Sequence, residues 1–163
     1  MTMPSHSDDI EMVVTAKTHA VFAVDDVLVQ LWEHETATLA MAAVLGRCVR
    51  WKLEDPTRPL WMISIVGGRA TMPDGKARQI AAELPQYFNT FVMVADGTGF
   101  RAAVVRSVLT SMQLLSKVSA ATPPVVGNVD AGVQQLVTAS GGAVDAARLL
   151  SAIATVRATL STS

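Results

Sequence analysis

The sequence predicts one α/β domain: a mixed, mostly parallel sheet with an N-terminal β-hairpin, crossover helices and an appended C-terminal helix. Three observations carry this. Short apolar runs, LWMISIV at 60–66, NTFVMVAD at 89–96 and PPVVGNV at 123–129, alternate with longer stretches of helical periodicity. Such alternation implies parallel strands joined by helical crossovers. The first two runs are nearly continuous rather than alternating, as strands covered on both faces read. The chain has 163 residues, 50% apolar and 17% charged, which is enough for one packed core.

The elements follow in order. Residues 1–18 are polar and mixed, and read as a loose lead-in. HAVFAVDDVLVQLWE (19–33) holds two β-rich runs around Asp25-Asp26, a tolerated turn pair, so a hairpin is expected. Thr36 opens a helix-favouring stretch, ATLAMAAVLGRCVRW. Its apolar positions Leu39, Ala42, Ala43, Gly46, Val49 and Leu53 recur at helical spacing. Pro56 and Pro59 end it. The strand at 60–66 leads to a short helix, PDGKARQIAAEL (73–84). The strand at 89–96 leads to a long one, TGFRAAVVRSVLTSMQLLSKV (98–118). A third strand at 123–129 precedes a short helix at 130–137. Gly141-Gly142 is a hinge, and a final helix covers 143–160. The expected division is therefore a lead-in at 1–18, a domain at 19–140 and an appended segment at 141–163.

Composition excludes several functions. The net charge is −1 and no Lys/Arg block occurs, so the electrostatic footprint of a nucleic-acid binder is absent. Cys48 is alone, so no intramolecular disulfide can form. Its neighbours Val44, Leu45 and Val49 suggest a buried thiol and a reducing compartment. MTMPSHSDDIEM lacks a signal-peptide core, and no apolar run reaches the ~18 residues of a spanning helix. A cytoplasmic protein without a membrane span is expected.

Candidate site residues gather at two strand-to-helix corners. The first is GGRATMPDGK (67–76). Thr71-Met72-Pro73-Asp74 has capping-box spacing, proline suits the first helical turn, and a carboxylate suits the helix N-terminus. The loop lacks phosphate-cradle spacing. The second corner is ADGTGFR (95–101), where Gly97 and Gly99 permit a tight turn and Thr98 can cap; the dinucleotide fingerprint fails because position 102 is Ala. Both corners lie at strand carboxyl ends, where α/β proteins bind ligands and partners. Gly67, Gly68, Arg69, Asp74, Asp96, Thr98 and Arg101 are thus expected on one binding face. Glu33-His34-Glu35 reads as a solvated corner, because consecutive residues do not share a face. No nucleophile elbow, metal-ligand set or cofactor motif is present. Trp32, Trp51 and Trp61 read as core and rim.

Two helices are more apolar than half-exposed helices require. Polar side chains form one narrow stripe in each: Arg106, Thr110, Gln113 and Lys117 in 98–118, and Arg148, Ser151, Thr155 and Thr159 in the last helix. The remaining arc is covered within the chain, by a second copy in a homodimer, or by a partner helix.

The stretches VFAVDDVLVQLW, RPLWMISIV and FVMVADGTGF…PPVVGNVDAGVQQL, with the hairpin-first layout, resemble the STAS family of anti-sigma-factor antagonist-like domains, and most closely its divergent bacterial members, over roughly residues 19–138. The resemblance implies a non-catalytic signalling module that binds protein partners, often kinase-like regulators; some members bind nucleotides or lipids. Many switch by phosphorylation within an Asp-Ser-Ser/Thr-Gly pattern. That pattern falls here on Met72-Pro73-Asp74-Gly75, so Asp74 replaces the phosphoacceptor with a fixed charge; with a shifted register, Thr71 is the nearest hydroxyl. The expected function is regulatory or scaffolding, with contact through the loops at strand carboxyl ends. The alternative is a small apolar ligand or lipid held under the apolar helices.

Overall fold

A computed structural model describes residues 10–33, 38–67, 70, 75–97, 103 and 125–160. Five strands form one sheet in chain order: β1 (Ile10–Thr15), β2 (His19–Val24), β3 (Val27–Trp32), β4 (Trp61–Gly67) and β5 (Thr90–Asp96). β1–β2 and β2–β3 are antiparallel, whereas β3–β4 and β4–β5 are parallel. The sheet is therefore evenly mixed and not mostly parallel.

The difference comes from β1, which lies inside the expected lead-in. As an edge strand it is only partly covered, so IEMVVT needs no long apolar run. Its register slips between Met12 and Val14, a bulge that turns Val14 to the other face of the sheet. The expected hairpin is thus the second half of a three-stranded meander. Asp25, at φ 53°, and Asp26 form its turn, between the paired residues Val24 and Val27. Asp tolerates this left-handed geometry better than most residues.

β2, β3 and β4 are buried throughout, and β5 everywhere but its two ends, because helices cover both faces. α1 (Thr38–Glu54) and α2 (Gly75–Glu83), with a 3-10 turn at Leu84–Tyr87, cover one face. α3 (Val129–Ala139) and α4 (Ala146–Arg157) cover the other. The buried face of α1 is Ala40, Met41, Val44, Cys48 and Trp51. Leu39, Val49 and Leu53 project outward. The helix carries two apolar arcs, and the sheet takes the one with Met41 and Trp51, which bury more area. All three tryptophans are buried.

Among the described residues of the expected third strand, one bridges the sheet. Val126 bridges Val94, donating its N–H to the Met93 carbonyl at 3.0 Å and accepting from Ala95 N–H at 2.9 Å. Asn128 then caps α3 by accepting from Ala131 N–H at 2.8 Å, so the chain turns helical before a strand can extend. α3 lies very close to the sheet at Gly132, where an added Cβ would sit 2.6 Å from Val94 Cγ2 and 3.1 Å from Ile63 Cδ1. Gly141 and Gly142, both at positive φ, turn the chain into α4, which Asp145 caps by accepting from Arg148 N–H. α4 is no appendage: Leu149, Ala152, Ile153 and Val156 join the same core as β2, β4 and β5. Its inner face is therefore covered within the chain. The expected helix at 98–118 falls outside the described residues, except for residue 103.

Candidate functional site

The parallel strands β3, β4 and β5 end side by side, and charged residues collect at their carboxyl ends. Gly67 closes β4 and pairs in register with Asp96, which closes β5. Glu33 follows the last residue of β3. Arg157, at the end of α4, reaches across from the other layer. Its Nε lies 2.5 Å from Glu33 Oε1, and one terminal nitrogen lies 2.6 Å from Asp96 Oδ2. One guanidinium thus bridges two carboxylates from strands that are not neighbours.

Gly67 makes room for this arrangement. A Cβ built there would sit 3.0 Å from Glu33 Oε2 and 3.3 Å from the Glu33 carbonyl oxygen. Any side chain at position 67 would press Glu33 off its place beside Arg157. The glycine is needed for close approach, and its carbonyl accepts from Ala70 N–H at 3.1 Å.

All three charged side chains are mostly buried, with Glu33 20%, Asp96 23% and Arg157 31% exposed. Burial pulls the Arg157 pKa down. The hydrogen bond to Asp96 and the charges of Glu33 and Asp96 push it up, and they win, so the guanidinium is held above its ordinary range. The cluster carries two negative charges against one positive. Both carboxylates are engaged by a group that does not give up its proton, which is unlike the poised pair that acid–base chemistry needs.

Of the sequence-predicted site residues, the structure brings together Gly67 and Asp96. Gly68, Arg69, Thr71, Asp74, Thr98 and Arg101 lie outside the described residues, as do His34 and Glu35. Glu33 and Arg157 were missed. Glu33 reads as a solvated corner until its strand neighbours are known, and Arg157 has no signal beyond sitting in the last turn of a helix. Only the three-dimensional proximity of strand ends to α4 joins them.

Other chemistry is sparse among the described residues. No group of three or more His, Cys, Asp and Glu side chains could hold a metal ion. Cys48 is fully buried, and burial pushes its thiol pKa up to about 12, the reverse of a nucleophile's environment. A cavity of about 30 Å³ lies at the other end of the sheet, between the β2–β3 turn and the start of α4, lined by Asp25, Asp26, Trp61, Val144, Asp145 and Leu149. It has room for water, not for a lipid. No helix among the described residues is long and apolar enough to cross a membrane. No protein-family model, no curated protein and no solved structure matches the chain.

Proposed function

We infer that the protein is a non-catalytic, cytoplasmic regulatory or scaffolding module that binds a protein partner at the carboxyl ends of β3, β4 and β5. The observation that carries this reading is the Arg157 bridge between Glu33 and Asp96. It gives a rigid, charged platform in the position where α/β proteins recognise other molecules. Its carboxylates are committed to a permanent cation, which suits a shaped surface better than a reaction centre. The sequence resemblance to STAS domains points the same way, with Asp74 in place of the family's phosphoacceptor. Gly68, Arg69, Thr98 and Arg101 follow these strand ends in sequence and would complete the contact.

The test is affinity capture from the native cells with three baits: wild type, Arg101→Glu and Glu83→Lys. Glu83 is exposed at the end of α2, away from the strand ends. A specific protein held by wild type and Glu83→Lys but lost from Arg101→Glu supports the reading. Equal recovery by all three baits, or no specific protein with any, refutes it.

A further inference from the structure

The sequence holds two Asp-Gly pairs, Asp74-Gly75 and Asp96-Gly97, and the second lies in the charged cluster at the strand ends. Such a pair is the peptide link most open to spontaneous rearrangement, because glycine has no Cβ to shield its nitrogen from the preceding carboxyl. Gly97 is exposed, with φ 124°, a conformation that residues with side chains rarely adopt. Asp96 is the last residue of β5, and its Oδ2 lies 2.6 Å from a terminal nitrogen of Arg157. A reactive pair is thus present at a strand end, with its carboxylate held away by a residue of α4.

We propose that Asp96-Gly97 is a site of isoaspartate formation and that Arg157 restrains it. The inference goes beyond partner binding and does not depend on it. The chemistry needs only water. The Gly97 nitrogen attacks Asp96 Cγ, and a new N–Cγ bond forms. The carboxyl hydroxyl leaves with the proton that the Gly97 N–H gives up, as one water molecule. The product is a five-membered succinimide. Water then adds to one of its two carbonyls. Breaking the N–Cγ bond restores Asp96. Breaking the bond from the Gly97 nitrogen to the Asp96 backbone carbonyl carbon yields isoaspartate, with no net change in mass.

Ring closure requires Asp96 Cγ to swing toward the following nitrogen. The ion pair holds the carboxylate on the guanidinium instead. The ladder to β4, in which Asp96 pairs with Gly67, limits the backbone rotation that closure needs. The consequence of rearrangement is local. Isoaspartate carries the chain through Cβ and Cγ, so the backbone gains one atom at the end of β5 and the remaining carboxylate moves to the α-carbon. Oδ2 is then no longer presented to Arg157, and the bridge from Glu33 loses one arm.

The test incubates the full chain at neutral pH in water labelled with heavy oxygen. Isoaspartate at positions 74 and 96 is counted by peptide mapping with electron-transfer fragmentation, and Asp74-Gly75 serves as the internal reference. Arg157→Met should raise the rate at 96 about tenfold, as expected when a partly buried ion pair is removed from the barrier, with the rate at 74 unchanged. Arg157→Lys keeps a cation without the two-pronged fork and should fall between. Glu33→Gln leaves Arg157 to Asp96 alone and should keep the wild-type rate. One heavy oxygen in each isoaspartate marks the succinimide route. No rise at 96 in Arg157→Met overturns the proposal. So does an equal rise in Glu33→Gln, a rise at 74 that matches the one at 96, or isoaspartate without the label. If Arg157→Met fails to fold by circular dichroism, Arg157→Lys carries the test, and a wild-type rate at 96 in that variant is equally fatal.

Discussion

Replacing Arg157 by Met keeps the aliphatic stem and removes the charge that holds Glu33 and Asp96. Two limits bound the cost. An exposed ion pair is worth roughly 0.2–1 kcal/mol, whereas breaking a fully buried one costs about 3–5 kcal/mol because a charge is left uncompensated. Glu33 and Asp96 are about a fifth to a quarter exposed, so the loss falls between these limits, at about 2 kcal/mol. In a chain of 163 residues that lowers Tm by about 4–8 °C. The penalty resides in the orphaned carboxylates more than in lost attraction. Adding Glu33→Gln and Asp96→Asn to Arg157→Met should therefore restore most of the stability. The pH dependence has a definite sign. Arg157 is a base whose folded-state pKa is raised, so its contribution is complete below the ordinary arginine value and is lost only as pH climbs through the folded one. The cost of Arg157→Met should thus be equal at neutral and mildly alkaline pH. Urea unfolding followed by circular dichroism measures all of this. A cost for Arg157→Met below about 0.3 kcal/mol, or a triple variant no more stable than the single one, refutes the reasoning.

Three further outcomes are expected. Gly132→Ala should destabilise by about 1 kcal/mol in thermal melts, because the overpacking against Val94 and Ile63 exceeds the roughly 1 kcal/mol that alanine gains in a helix. Gln30 is buried with its Nε2 unbonded among the described residues, so Gln30→Met should stabilise by about 1 kcal/mol in the same assay. Cys48 binds its proton up to about pH 12 when folded but only to about 9.0 when unfolded, so stability should fall as pH rises above 9.0, by up to about 1.4 kcal/mol per pH unit. Cys48→Ala should flatten that slope in alkaline urea titrations.

The α/β class, the buried strands β2 to β5 and the order of the described helices were legible because continuous apolar runs and helical periodicity need no tertiary knowledge. β1 was not, since an edge strand with exposed Glu11 carries little hydrophobic signal, and its bulge breaks what alternation it has. The helical spacing of α1 was legible, but not which of its apolar arcs is buried. Two arcs of similar hydrophobicity compete on that helix, and only the shape of the sheet decides between Met41–Trp51 and Leu39–Leu53. Of the candidate site, Gly67 and Asp96 were legible because strand ends could be located. Glu33 and Arg157 were not, because their meeting depends on how α4 crosses the opposite layer. The expected layout was a sheet richer in parallel pairs than the meander of β1 to β3 allows.

The Arg157 bridge ties together parts of the chain that are made far apart in time. Glu33 leaves the ribosome early and Arg157 late, so the platform at the strand ends is completed only when α4 has docked. A chain that has folded its sheet and first helices but not its last one presents bare carboxylates there. Any molecule that recognises the bridged form therefore distinguishes a chain with α4 docked from one in which it is not. A nick in the Gly141–Gly142 turn, which loosens the tether of α4, would also register at that face.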